Sequence, residues 1–331
     1  MQNSFILNRC LEVYLSLHNW IWNRLSSSFR LTPLGLAYGR HLHHVARFCA
    51  KRRQYFATFF LRNRAELELI RKLLDQKPRG SQVNATVLAC SKGAEVYSLV
   101  WATRSARMDV RLRVHAVDIS QEIVNFAAQG VYTLSSSDAR ASSNEESVKE
   151  RGDVSWNTSR DQNAWMFERM TPEEVHAMFE VEGGQAKVRP WLKEGITWMS
   201  SDAGDSQLIG SLGLQDLVLA NRFLCHMQPP VAEECLRNVA RLVKPGGYLF
   251  VSGIDLDVRT KVARDLGWKP ITDLIREIHD GDVSIRRDWP LEYWGLEPLD
   301  DRRTDWRIRY ASVFQIPENG SFQGGAEQAG R

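Results

Sequence analysis

The period of the apolar positions changes near residue 80. Before it, Cys10-Leu11, Val13-Tyr14, Leu17 and Ile21 recur at helical spacing, and the run from Glu66 to Leu74 does the same before Lys77-Pro78-Arg79-Gly80, which reads as a linker. From Ala85 onward, short apolar runs at 85–89, 112–117, 217–220 and 248–253, with 309–316 as a last strand, are separated by helical stretches at 94–104, 121–129, 231–243 and 258–266. That alternation predicts a parallel sheet built from βαβ units. Residues 133–195 break the rhythm with a polar stretch from Ser135 to Thr158 and a helix over 172–180, and read as an insertion on the rim that covers the site. The predicted organisation is a helical subdomain over 1–80, an α/β domain over 81–317 carrying the insertion, and a Gly- and Gln-rich disordered tail over 318–331.

Composition narrows the class. A chain of 331 residues with 43% hydrophobic and 25% charged positions has a globular make-up and room for one large catalytic domain with an accessory segment. The five cysteines form no Cys-x-x-Cys pair, which argues against a disulfide framework or zinc site and for a reducing, cytoplasmic setting. Arg9, Glu12, His18, Asn19 and Asn23 interrupt the run from Phe5 to Leu25, so it is expected to be an amphipathic helix, neither a signal peptide nor a membrane span. His41, His43 and His44 have no cysteine or carboxylate beside them, and no metal site is expected there.

The formal charge of +3 conceals an asymmetry: residues 1–80 carry 14 Lys/Arg against 4 Asp/Glu, a net +10 that leaves −7 for the rest. Such a front end is either a solvated helical face or a docking surface for an anionic partner, an acidic protein helix being favoured over nucleic acid or lipid.

Candidate chemistry begins where the first strand runs into Ala89-Cys90-Ser91-Lys92-Gly93-Ala94-Glu95, a loop of small residues opening a helix. Twenty-five residues after Gly93 the second strand ends in Asp118, placed to accept both hydroxyls of a ribose. NAD and S-adenosylmethionine both suit that half. The second half separates them: Lys244-Pro245-Gly246-Gly247 followed by an apolar strand resembles the fifth-strand entry of class I methyltransferases, and the triple-glycine pyrophosphate fingerprint is absent.

The resemblance then becomes specific. Ala89 to Leu99 resembles the Cys-Ser-Thr-Gly-Glu-Glu-Pro-Tyr-Ser loop of CheR-type chemotaxis receptor glutamate methyltransferases. Thr58-Phe59-Phe60-Leu61-Arg62-Asn63 is similar to that family's Thr-x-Phe-Phe-Arg-Asp, and Asp118-Ile119 with Ala127 to Tyr132 to its Asp-Ile and Ala-Arg-x-Gly-x-Tyr. Trp198 to Ala203 and Asp216 to Met227 match two later segments, so the likeness spans roughly residues 55–255. It implies an α/β class I Rossmann-like methyltransferase sheet with helices on both faces, preceded by a helical N-terminal subdomain. It also implies S-adenosyl-L-methionine as cofactor, with S-adenosyl-L-homocysteine as product. Carried over, Thr58 and Arg62 reach the methionine part, and Cys90, Ser91 and Gly93 form the loop. Glu95 lies near the amino group, Asp118 with Ile119 holds the ribose, Asp202 and Ala203 flank the adenine, and Asn221 with Arg222 lines the floor under the sulfonium.

Three departures bear on the chemistry. The first glutamate of the family's Glu-Glu pair is Ala94, its Arg-Asn pair is reversed as Asn221-Arg222, and a tyrosine is replaced by His226. A glutamate acceptor, with a reference pKa of about 4.3, is already a nucleophile at neutral pH. An alcohol needs a base, for which His226 is the candidate, against the plainer role of a packed histidine; Arg62 is the other catalytic candidate, through the cofactor. The expected activity is therefore methyl transfer to oxygen, on a protein glutamate carboxylate. Small-molecule O-methylation of a sugar or secondary metabolite using His226, and a non-catalytic cofactor-binding relative, stand as alternatives. Nucleic-acid methylation is disfavoured because Gln228-Pro229-Pro230 lacks the residues flanking the Pro-Pro of amino-methylating enzymes. Cys90 reads as a packing residue of the turn, and Trp289 to Trp294 as either core or acceptor-pocket lining.

Overall fold

The computed structural model describes residues 2–49, 58–134, 165–281, 289–291 and 296–318. Helices α1 (Gln2–Arg24), α2 (Ser27–Arg30), α3 (Pro33–Cys49) and α4 (Arg64–Asp75) precede β1 (Gln82–Leu88), α5 (Ala94–Ala106), β2 (Arg111–Asp118) and α6 (Gln121–Gln129). Next come β3 (Val131–Thr133), α7 (Pro172–Met178), β4 (Phe179–Glu182), β5 (Gln185–Val188) and α8 (Pro190–Lys193). The chain then continues through β6 (Ile196–Ser200), α9 (Leu208–Leu212), β7 (Gln215–Leu219), α10 (Pro229–Ala240), β8 (Val243–Phe250) and α11 (Leu256–Asp265). It closes with β9 (Lys269–Pro270), α12 (Ile275–Asp280), α13 (Trp306–Tyr310) and β10 (Val313–Gln315).

The main sheet has seven strands in the order β6-β2-β1-β7-β8-β10-β9. The first five are parallel, and β10 runs antiparallel to both of its neighbours. Alternation along the central strands divides the core between the two faces: Val83, Ala85 and Val87 of β1 and Leu217 and Leu219 of β7 join the cluster that includes α4 and α5. Leu88, Val218 and Ala220 point into the cluster formed with α10 and α11. Burial on both faces explains why these strands read as continuous apolar runs. The order reverses between β1 and β7, so the connections leaving their C-terminal ends run to opposite faces of the sheet and leave a crevice between them, the place where open α/β sheets bind ligands.

Several sequence expectations are corrected here. The predicted last strand, 309–316, is a helix through Tyr310 and a strand only over Val313–Gln315. The Arg-Ile-Arg-Tyr alternation looks strand-like, but tertiary pairing wins: Arg309 bonds Glu297 and Asp257, and Tyr310 bonds Glu297. The helix expected over 172–180 stops at Met178, where Phe179 turns into an antiparallel sheet of order β3-β5-β4. Lys244-Pro245-Gly246-Gly247 is no turn before a strand but a bulge within β8. A side chain at Gly247 would stand 2.9 Å from the Lys244 carbonyl oxygen. The linker-like segment 77–80 is held down as well, Lys77 pairing with buried Asp216 at 3.2 Å.

Helices α1 to α3 attach to the C-terminal part of the chain. Trp22 meets Trp289 edge-on at 5.3 Å, and Gly39 lets α3 pass, since a Cβ there would stand 2.1 Å from the Trp289 ring. Arg40 pairs with Asp300 at 2.7 Å, and Arg47 with Asp255 and Asp257 at 2.8 and 2.9 Å. Part of the basic excess of residues 1–80 is thus neutralised by the acidic body. No helix among the described residues is long and apolar enough to cross a membrane.

Candidate active site

At the end of β1 the chain turns sharply by placing two non-glycine residues in the left-handed region, Ala89 at φ 50° and Ser91 at φ 49°. Arg222, just beyond β7, is left-handed as well, at φ 64°. Each such residue costs on the order of 1 kcal/mol, and such outliers cluster at functional sites. All three line one cavity of about 300 Å³ at the strand crossover. Gly93, at φ 84°, ends the loop and begins α5.

Asp118, 4% exposed at the end of β2, organises the loop. One carboxylate oxygen accepts the Ser91 N–H at 2.8 Å and the other the Ser120 N–H at 3.1 Å. Each oxygen keeps acceptor capacity for a hydroxyl. Ile119, Ser201, Asp202 and Ala203 continue this wall, with an Asp202 oxygen accepting the Gly204 N–H at 2.8 Å.

The opposite wall comes from the segment before α4. Ser98 of α5 accepts the Leu61 N–H at 2.9 Å and donates to the Ala94 carbonyl at 2.7 Å, fixing the segment around Leu61 against α5. Arg169 donates to the Arg62 carbonyl at 2.5 Å and covers the Phe59 ring. Behind the wall, Phe60 is enclosed by Tyr132, Phe167 and Phe179.

Asn221 ties the two walls together. Its amide nitrogen donates to Glu66 at 2.9 Å and to Glu95 at 2.6 Å, while its oxygen accepts the Ser252 N–H at 3.0 Å and hydroxyl at 2.8 Å. Burial raises the Glu95 carboxyl above its ordinary range, against the opposing pull of Asn221 and Arg62. The cavity is also lined by Arg259, Ile278, His279, Leu296, Tyr310 and Ser312. Arg259 is 1% exposed and donates to the Val251 and Arg309 carbonyls at 2.8 Å, and its Nε has no partner. No carboxylate among the described residues pairs with it, and burial, reinforced by Arg309, pulls the guanidinium down to about 9.

Of the residues singled out from the sequence, Thr58, Arg62, Cys90, Ser91, Glu95, Asp118, Ile119, Asp202, Ala203, Asn221, Arg222 and His226 all line this cavity. Gly93 does not: it sits behind the loop, where a Cβ would stand 3.0 Å from the Trp198 ring and 3.1 Å from the Ala127 Cβ. His226 is held in the 3₁₀ turn Leu224–His226. The Cys90 thiol is buried and pushed well above its ordinary value, first by burial and then by Asp118 and Glu95, which suits a packing residue. No described residue of 165–195 lines the cavity; the described part of the insertion instead braces Phe59 to Arg62 from outside. His41 bonds Tyr14 at 2.9 Å and His43 the Pro290 carbonyl at 3.1 Å. Trp289 packs beneath α3, and the expectations for 292–294 and for the tail beyond Glu318 lie outside the described residues.

Glu66, Arg259, His279 and Tyr310 were not anticipated as site residues. Asn63 caps α4 by accepting the Glu66 N–H, so Asn-x-x-Glu reads from sequence as an ordinary helix start. The donor set fits S-adenosylmethionine: two carboxylates at one place suit an ammonium group, Arg62 suits a carboxylate, and Asp118 suits paired hydroxyls.

Residues 57–160 match the family described as CheR methyltransferase, SAM binding domain. Over 180 residues the chain is 25% identical to chemotaxis protein methyltransferase 1 of Pseudomonas aeruginosa, covering 52% of this chain and 54% of that one. A 104.1 kDa protein of Rhodobacter capsulatus is 23% identical over 262 residues, which is 74% of this chain but 22% of the relative. The chain thus spans about half the length of the first relative and less of the second. Among solved structures, magnesium protoporphyrin IX methyltransferase from Synechocystis PCC 6803 is 14% identical over 62% of this chain and 69% of its own, with a TM-score of 0.32. The N-methyltransferase NodS from Bradyrhizobium japonicum WM9 is 11% identical over 77% and 95%, with a TM-score of 0.33.

Proposed function

We infer that this divergent CheR-type chain is an S-adenosylmethionine-dependent methyltransferase whose acceptor is a carboxylate oxygen on a protein. The cavity at the β1/β7 crossover supports this most directly, because its lining combines the acidic and amide groups of Asp118, Glu95 and Asn221 with the buried Arg259, which pairs with no carboxylate among the described residues.

When bound, S-adenosylmethionine supplies a methyl group made electrophilic by its sulfonium. Asp118 holds hydroxyls against the β2 end, Glu95 faces the ammonium group, and Arg62 its carboxylate. Binding at these points fixes the direction of attack, which is most of what an in-line displacement asks of a protein. Arg259 and Arg222, both lining the cavity, favour an anionic acceptor and keep its carboxyl ionised. A carboxylate so held is already the nucleophile and needs no base.

The chemotaxis relative supports a protein acceptor, and the N-terminal charge is compatible with an acidic one. Arg40, Arg47, Arg64 and Lys77 are spent on pairs inside the chain, but the remaining basic residues of 1–80 still outnumber its 4 acidic ones.

The test is to incubate the protein with methyl-labelled S-adenosylmethionine and a lysate split into protein and small-molecule fractions, then to treat the products with mild alkali. Label in protein that leaves as volatile methanol is expected; alkali-stable label in the small-molecule fraction contradicts a carboxylate acceptor. On the same account His226→Ala keeps its rate within about tenfold of wild type with an unchanged pH profile, since general-base catalysis contributes about 10²–10⁴-fold only where a base is needed. A loss of that larger size, together with the disappearance of a pH-rate limb, would assign the acceptor to an alcohol.

A further inference from the structure

We propose that Glu66 is a second carboxylate of the subsite for the cofactor's amino-acid end, so that Glu66 and Glu95, bridged by Asn221, form a paired anionic cradle for its ammonium group. The proposal rests on the cofactor reading above.

Three observations carry it. Glu66 is the third residue of α4, where a glutamate ordinarily stays exposed, yet here it is 7% exposed and on the cavity wall. Its Oε1 meets the Asn221 amide across 155 positions of sequence. Asn221 cannot turn away, because Ser252 occupies its oxygen with two donors and so fixes its NH₂ toward the two glutamates. An amide NH₂ has two hydrogens, and each is spent on one carboxylate.

The result is two carboxylates held within about two hydrogen-bond lengths of each other in a buried wall. Two carboxylates so placed attract a cation to the space between them. The Arg62 guanidinium acts on Glu95 from nearby, favouring its charged form. An ammonium group carries three donors and no acceptor, so it is able to bond both glutamates at once; a hydroxyl, with one hydrogen, is not. The subsite therefore selects for the charged amino group, and Glu66 is a binding residue with no part in the transfer itself.

The test is calorimetric, with two ligands that share the adenosine thioether. S-adenosylhomocysteine carries the amino-acid end; 5′-methylthioadenosine lacks it. Glu66→Gln is expected to weaken S-adenosylhomocysteine by about 10–100-fold, the range for a hydrogen bond to a charged group, while 5′-methylthioadenosine stays within about twofold. Equal changes for both ligands, or none for either, overturn the proposal and assign Glu66 a structural role. If wild type binds neither ligand, the cofactor reading itself fails. A second variant covers the case in which Glu66→Gln does not fold. In Glu95→Gln, S-adenosylhomocysteine should still bind more tightly than its desamino analogue, which keeps the carboxylate and lacks only the amino group, because Glu66 remains; complete loss of that preference assigns the ammonium group to Glu95 alone.

Discussion

Asn221→Ala is expected to lower stability by about 2–4 kcal/mol at neutral pH, since it leaves two buried carboxylates without the donor they share and each such loss costs on the order of 1–3 kcal/mol. The cost should depend on pH in a defined direction. Burial holds the Glu95 carboxyl above its unfolded value, so this group's contribution to stability is fully present below the unfolded pKa and is lost as pH rises through the folded one. Asn221 opposes that shift; without it the folded value climbs further and the variant loses more than wild type at neutral pH. In acid, where the carboxyl is protonated in both folded and unfolded chains, the difference attributable to Glu95 closes. Urea unfolding of both proteins at pH 4 and pH 7.5 reads this directly. Equal destabilisation at the two values contradicts the account and leaves Asn221 only its bonds to Ser252.

Phe60→Ala is the second large effect, a loss of about 3–5 kcal/mol from an aromatic side chain that is fully buried. Tyr132, Phe167 and Phe179 surround its ring at 5.2, 5.1 and 5.0 Å, and its N–H donates to the Met166 carbonyl at 2.8 Å. These contacts bind the segment carrying Arg62 to the β3-β5-β4 sheet. The variant should therefore lose cofactor affinity as well as unfold at lower denaturant, with Phe60→Leu intermediate in both. If stability falls and affinity for S-adenosylhomocysteine does not, the small sheet does not position Arg62.

How far the sequence foretold this structure depends on how each element is buried. Strands β1 and β7 were legible because burial on both faces writes apolar runs, β2 because its first half alternates exposed and buried positions, and the helices around them because Gly93 and Gly130 mark left-handed starts and stops. Strand β6 was not. It is an edge strand paired only with β2, partly exposed along its length, and Ile-Thr-Trp-Met-Ser has no clean period. The β3-β5-β4 sheet was hidden because its strands have only three or four residues, too few for alternation to register.

The site was legible where chemistry sits beside a strand end, as at Ser91, Asp118 and Asn221. It was not where the functional partner is remote in sequence. Glu66 looks like the ordinary fourth residue of a helix cap, and nothing local shows that its carboxylate is spent on a residue 155 positions away. Arg259 sits in α11 among Asp257, Lys261 and Arg264, where a solvated helical face is the natural expectation; only the packing of α11 under β8 and α13 removes it from water. The charge asymmetry misleads in the same way, because partners such as Asp257 and Asp300 lie more than 200 residues from Arg47 and Arg40.

Whether the cavity at the β1/β7 crossover is an S-adenosylmethionine site is decided by a calorimetric titration of the wild-type protein with S-adenosylhomocysteine and, separately, with NAD. Saturable binding of S-adenosylhomocysteine at one site per chain, with no heat from NAD, is the predicted result. Binding of NAD, or of neither ligand, contradicts it.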